Sequence, residues 1–173
     1  MTATAEKAQG PGWIQTVIIG RNPKRTAVRV LILIVFSIIV FRYVLLGIRV
    51  EGVSMMPTYR QGGVNFVNRI VYRFHEPQRG DVVAIRTTGI SNMLMKRIVA
   101  LPGETIAFHQ GHIFINGTEL EEPYLKYKCD WELPPRTLGN NEYYFVGDNR
   151  SMAAYEHEHG VADRSRIVGK VLL

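Results

Sequence analysis

Cysteine is nearly absent from this sequence. A single one, Cys129, occurs in 173 residues, which excludes a disulfide framework and a zinc module built from several cysteines. Acidic residues are in the minority, with 15 Asp and Glu against 21 Lys and Arg and a net charge of +6. Internal repeats and low-complexity tracts are missing. After residue 49 there is no long apolar stripe with a 3.6-residue period. At 46% hydrophobic and 21% charged residues, a disordered tail protein, a coiled coil and a collagen-like chain are excluded as well. The length suits about one domain.

The basic excess is concentrated at one end. Lys7, Arg21, Lys24, Arg25 and Arg29 face a single acid, Glu6, within residues 1–29, and the rest of the chain is close to balanced. A nucleic-acid binder carries its basic stripe on the folded domain, so no nucleic-acid partner is expected. The charge instead precedes an apolar run. Val30–Phe41 reads VLILIVFSIIVF, and after Arg42 the apolar character resumes through Ile48. At 1.5 Å per residue the window 30–48 spans roughly 28 Å, close to the hydrocarbon core of a bilayer. Arg42 lies off-centre, where a long side chain can snorkel to the interface. The window reads as a single transmembrane anchor. A cleaved secretory signal fits less well, because no small-x-small site follows it; a buried core helix is the third reading. The positive-inside rule places residues 1–29 in the cytoplasm and residues 49–173 on the extracytoplasmic side of the cell membrane. Met1–Gly12 is small and polar and is expected to be a disordered tail.

Residues 49–173 read as a mostly β domain. Asp81–Thr87, Met95–Leu101, Thr105–Phe108, His112–Ile115, Tyr143–Val146 and Ile167–Leu172 are short β-branched or aromatic runs. Gln110-Gly111 marks one hairpin, and Asn116-Gly117, the strongest two-residue hairpin signal, leads to a short strand at Glu119-Leu120. Many short strands with frequent turns suggest a partly closed antiparallel sheet system. Tyr124–Asn141, with Trp131 and Pro134-Pro135, reads as a long surface excursion. Its Trp and Tyr suit either a membrane interface or ordinary packing.

Ser54 lies a few residues after the apolar run, in Gly52-Val53-Ser54-Met55-Met56-Pro57-Thr58, and Lys96 follows 42 residues later. A serine hydroxyl is a poor nucleophile until a base takes its proton. A lysine can be that base only when neutral, and burial among apolar neighbours favours the neutral form. Leu94, Met95, Ile98 and Val99 flank Lys96. Each feature alone has an ordinary reading, a turn serine and a solvated strand lysine.

Taken in order, the segments resemble type I signal peptidases, compact form. The resemblance rests on Ser54-Met55-Met56-Pro57-Thr58, Arg79-Gly80-Asp81-Val82-Val83, Lys96 through Glu104, Gly147-Asp148-Asn149-Arg150 and Ile167-Val168-Gly169-Lys170, behind one anchor. It implies a membrane-bound serine endopeptidase with a Ser54–Lys96 dyad that removes signal peptides from exported preproteins, and an antiparallel β-sheet catalytic domain after the anchor. It implies an oxyanion site at the Ser54 N–H. The family's second donor sits two residues earlier, here Gly52, which offers no hydroxyl. An extended signal peptide is expected to add as a strand along Val50, Val53, Met93, Leu94 and Met95. Gly147, Asp148, Asn149 and Arg150 are expected to support the site. The implied partners are signal-peptide segments and membrane lipid. No metal or organic cofactor is implied.

The last block departs from the family pattern. The family's serine, aspartate and arginine fall at Ala153, Tyr155 and His157. Ala153 cannot hydrogen-bond the lysine, and Tyr155 and His157 cannot form the family's ion pair. This departure supports an alternative, a catalytically weak or inactive relative acting as a binding or scaffold component. A self-cleaving repressor shares the Ser–Lys chemistry, but residues 1–29 are too short for a DNA-binding module. His157-Glu158-His159 is a weak metal pattern. Asn116-Gly117-Thr118 and Asn149-Arg150-Ser151 match the glycosylation triplet but fall on a turn and in a family motif. Cys129 reads as a bystander.

Overall fold

The computed structural model describes residues 22–87, 93–127 and 129–172. The expected tail Met1–Gly12, and with it most of the basic segment 1–29, lies outside the described residues. Two compact units divide between Val40 and Phe41.

The first unit holds helix α1, Pro23–Ile39. Asn22 caps it, its side chain accepting from the Arg25 N–H at 3.3 Å, and Pro23 occupies the first turn. Proline is pre-organised there because its missing N–H is one the helix does not need. None of the side chains of α1 is buried. A wider turn, Val40–Val44, follows. The continuous stretch Pro23–Val44 has 22 residues and is long and apolar enough to cross a membrane.

The structure divides the 30–48 window. Helix and wider turn account for residues up to Val44, and Leu45–Arg49 is strand β1. β1 pairs antiparallel with β2, Val64–Asn68, from Leu45↔Asn68 to Arg49↔Val64. A short apolar run serves helix or strand equally well, and here the pairing partner decides.

The second unit is built on two antiparallel sheets. The remaining strands are β3 (Val82–Arg86), β4 (Met93–Ala100), β5 (Thr105–His109), β6 (His112–Ile115), β7 (Thr118–Glu119), β8 (Leu133–Thr137), β9 (Glu142–Val146), β10 (Gly160–Asp163) and β11 (Ile167–Leu172). The larger sheet runs β1-β2-β11-β3-β4-β9-β10 and the smaller β7-β6-β5-β8. β3 shows why its sequence lacks a polar face. Val82 and Ala84 pack with Met55, Tyr59 and Val67, while Val83 and Ile85 pack with Ile98, Phe145 and Ile167. Both faces of this strand are covered, so no position is left for alternation. A third cluster joins Val99 and Val146 of the larger sheet to Ile106, Phe108 and Ile113 of the smaller.

The expected hairpins at Gln110-Gly111 and Asn116-Gly117 are present. The Tyr124–Asn141 stretch is not a free excursion. Trp131 is 3% exposed, packs against Phe108 and donates its indole N–H to the Met152 carbonyl at 2.9 Å. Leu138 is buried in the same cluster. Pro134 and Pro135 lie in β8, at the edge of the smaller sheet. An edge strand tolerates proline because one side of its backbone needs no donors.

Candidate active site

The segment between β1 and β2 carries Ser54. Gly52 takes φ +88°, a left-handed conformation that suits glycine. Met55 and Tyr59 are buried and anchor the loop in the core beneath. Backbone bonds from Met56 to Val53 (3.0 Å) and from Tyr59 to Met55 (2.9 Å) close it. Asn149 ties it from the other side, its N–H reaching the Ser54 carbonyl at 2.9 Å and its Nδ2 the Val53 carbonyl at 3.1 Å.

Lys96 sits within β4, opposite Val83 of β3. It is 1% exposed, and its Nζ donates to Ser54 Oγ at 2.7 Å. Burial pulls the ammonium down to about 8, and the charge of Glu158 works weakly against that fall. At pH 7 about one lysine in ten is then a free amine.

A cleft of about 510 Å³ opens at this pair, with Ile48 and Val50 on one side and Met93, Leu94 and Met95 on another. Met55 and Ala84 also line it, as do Gly52, Ser54, Lys96 and the carboxylate residue Glu158. Sequence reasoning did not place Ala84 or Glu158 at the cleft: Ala84 directly follows the Arg79–Val83 block, and Glu158 stood out only within the weak His157-Glu158-His159 pattern. Val53, expected along the peptide path, is not among the lining residues.

The Gly147–Arg150 segment backs the serine loop. A β-carbon on Gly147 would stand 2.3 Å from the Ser54 carbonyl oxygen and 2.5 Å from His157 Cε1, so only glycine fits. Asp148 is fully buried. It accepts two hydrogen bonds from Arg97, at 2.8 and 2.6 Å, and one from Thr58 Oγ1 at 2.6 Å. Arg97 also donates to the Gly80 carbonyl at 2.7 Å, and its guanidinium stacks 3.9 Å from the centre of the Tyr124 ring. Arg150, 1% exposed, donates to the Gly147 carbonyl at 2.8 Å and to both oxygens of Glu122, at 2.5 and 3.2 Å. Two further, partly exposed pairs join segments distant in sequence, Arg79–Glu104 at 2.5 Å and Lys170–Asp81 at 2.6 Å. Bidentate arginine–carboxylate pairs set orientation as well as attraction. Of these, the Arg97–Asp148 and Arg150–Glu122 pairs are the buried ones, and both hold the Gly147–Arg150 segment that backs the Ser54 loop.

Of the altered positions, Tyr155 is 88% exposed and Ala153 precedes a short turn, Ala154–Glu156. His157 points the other way. It is buried, with its ring edge-on to Trp131 at 5.0 Å. Burial, then the charges of Lys96, His159 and Arg150, push its imidazole down to about 4. His159 is held by the Tyr144 hydroxyl at 2.7 Å. Among the described residues no group of three or more His, Cys, Asp or Glu is placed to hold a metal. Asn116 is used by its turn, its Oδ1 accepting from the Thr105 N–H at 2.8 Å, and Asn149 is buried. Cys129 bonds the Gly111 carbonyl at 3.1 Å, and burial raises its thiol pKa.

The chain is 30% identical to a signal peptidase I of Leptolyngbya laminosa over 128 residues, covering 69% of this chain and 63% of that protein. It is 32% identical to signal peptidase I V of Bacillus subtilis (strain 168) over 152 residues, covering 80% of this chain and 90% of that one. A crystal structure of a signal peptidase I from Enterococcus faecalis V583 aligns with 57% of this chain and 98% of its own, at 23% identity and a TM-score of 0.47. The family model described as signal peptidase, peptidase S26, matches residues 24–173. With nearly the whole described chain inside that match, this protein belongs to the signal peptidase family, peptidase S26.

Proposed function

We propose that the chain is a membrane-anchored serine endopeptidase that cuts signal peptides from exported preproteins, with Ser54 as nucleophile and Lys96 as general base. The observation that carries this reading is the buried Lys96 Nζ at 2.7 Å from Ser54 Oγ, beside an open cleft. In its neutral form Lys96 accepts the serine proton as Oγ attacks the scissile carbonyl. The backbone at Ser54 and Gly52 meets the developing oxyanion, since pre-organised donors act where charge develops. Lys96 then returns the proton to the departing amine. The same base next activates a water, which frees the serine from the signal peptide.

The extended peptide adds as a strand between Val50 and Met93–Met95, with backbone pairing giving affinity and shallow pockets giving choice of side chain. Gly147, Asp148, Asn149 and Arg150 hold the serine loop. The anchor is the apolar stretch up to Val44, with the basic segment in the cytoplasm and the β unit outside. Its partners are signal-peptide segments and membrane lipid.

The test is cleavage of a preprotein carrying an Ala-x-Ala site by the full chain in detergent, beside Ser54→Ala and Lys96→Ala. Cleavage after the second Ala by the parent chain and by neither variant supports the reading. A folded chain that does not cut, and that stays inert with Ser at 153 and Asp at 155, supports the binding or scaffold alternative, which the changes at Ala153 and Tyr155 favour.

A further inference from the structure

His157 is the largest departure in the last block that the structure turns inward. It is 4% exposed, and neither Nδ1 nor Nε2 completes a hydrogen bond. Buried polar groups nearly always have a partner, from protein or from an enclosed water. The ring is held by shape. Trp131 meets it edge-on at 5.0 Å. On another side it abuts Gly147, where a β-carbon would lie 2.6 Å from Nε2. That same point is 2.3 Å from the Ser54 carbonyl oxygen, so imidazole and serine loop meet across one glycine.

Lys96 is the other buried group that is short of partners. An amine or ammonium offers two or three N–H donors. Among the described residues, the hydrogen bond it makes is the one to Ser54 Oγ. Both groups meet at Ser54, Lys96 through its bond to Oγ and the ring across Gly147 beside the Ser54 carbonyl, and the charge of Lys96 acts on the ring. Arg150 acts from the segment after β9 and His159 from the ring's own segment. The Glu158 backbone lies close enough to the ring for a weak hydrogen-bonding effect of opposite sign, short of a well-formed bond. Burial first, and then these three charges, disfavour a protonated ring, so His157 is held neutral through the working range. A neutral imidazole keeps one acceptor nitrogen and one N–H. The acceptor is what a buried lysine lacks.

We propose that His157 is the positioning residue of Lys96: through one bridging water its acceptor nitrogen takes a hydrogen bond from Nζ and thereby aims the amine lone pair at Ser54 Oγ. This rests on the reading of Ser54 and Lys96 as nucleophile and base. A water-mediated link of this kind is nearly as good as a direct one. It also accounts for a hydroxyl not being needed at Ala153, since the lysine is held from position 157 instead.

The experiment uses the full chain in detergent and the Ala-x-Ala preprotein. His157→Phe keeps a ring against Trp131 and removes both nitrogens. His157→Asn and His157→Gln return an acceptor near one ring nitrogen or the other. The expected result is a fall in kcat of about ten- to a hundredfold for His157→Phe, with KM within about twofold. Its acid limb moves to lower pH, because an acceptor that favoured the charged amine is gone. One amide variant restores much of kcat and returns the limb. A crystal structure of the parent chain shows a water within hydrogen-bond distance of both Lys96 Nζ and a His157 nitrogen. Unchanged kcat and pH profile in His157→Phe overturn the proposal. So does a loss that neither amide recovers and that tracks a fall in Tm, or a crystal structure with no such water. An inert parent chain sinks the dyad reading itself, which the Ser54→Ala control makes distinct, and the crystal structure still decides the water link.

Discussion

Arg97 and Asp148 are joined by two hydrogen bonds, 2.8 and 2.6 Å long, with the carboxylate fully enclosed. Arg97 is the residue next to Lys96, and Asp148 lies between Gly147 and Asn149, which touch the serine loop. One ion pair thus spans the distance between the strand of the proposed base and the support of the proposed nucleophile. The bond from Thr58 Oγ1 brings the serine loop itself onto the same carboxylate.

Removing one partner of this pair leaves a buried charge uncompensated. Asp148→Ala is expected to destabilise the β unit by about 3–5 kcal/mol. Adding Arg97→Ala to it costs less than the sum of the two single changes. Denaturant unfolding of the three variants measures this, and additive losses would show that the pair is not coupled.

Gly147 admits no side chain. In Gly147→Ala the new methyl would meet a backbone carbonyl at 2.3 Å and a packed imidazole, neither of which yields without moving the serine loop. Displacements of about 1 Å can cost about a hundredfold in rate. Cleavage is therefore expected to fall at least that far in a variant that still folds, and near-normal turnover would argue against the tight backing described here.

Activity should follow the free amine of Lys96. Below about pH 8, kcat/KM is expected to fall about tenfold for each pH unit. Glu158 raises the lysine, so Glu158→Gln should move this limb to lower pH. A limb that stays in place would show that the carboxylate does not act on Lys96 in solution.

Stability carries a separate pH signature. The imidazole of His157 is depressed to about 4 in the folded chain, against about 6.5 when unfolded. The unfolded chain therefore takes up a proton first. This contribution is complete above about pH 6.5 and is lost as pH falls toward 4. It amounts to on the order of 2–3 kcal/mol. The difference in unfolding free energy between the parent chain and His157→Phe should shift by that amount between pH 7 and pH 4. A constant difference would contradict a buried, neutral ring.

The apolar run, the basic residues before it, the glycine-marked hairpins and the order of the Ser54, Arg79, Lys96 and Gly147 blocks all lie in the chain as local patterns. Local patterns were enough for the fold class, because turn chemistry and residue type are properties of neighbours in sequence, whereas Ser54 and Lys96 stood out through the order of the blocks and the family resemblance it carries. Tertiary structure decided what depends on partners distant along the chain. Leu45–Arg49 became a strand because β2 offered an edge to pair with. Leu133–Thr137 became one despite Pro134 and Pro135 because it lies at an edge, where missing donors face no neighbour. Trp131 left the expected surface because Phe108 and its cluster gave it a place to be buried. Tyr155 and His157, two residues apart, went opposite ways, one to solvent and one against Gly147. The 2.7 Å contact between Ser54 and Lys96 likewise exists only in the folded chain. Sequence supplies the two groups, and the dry interior that makes one of them a base is created by packing.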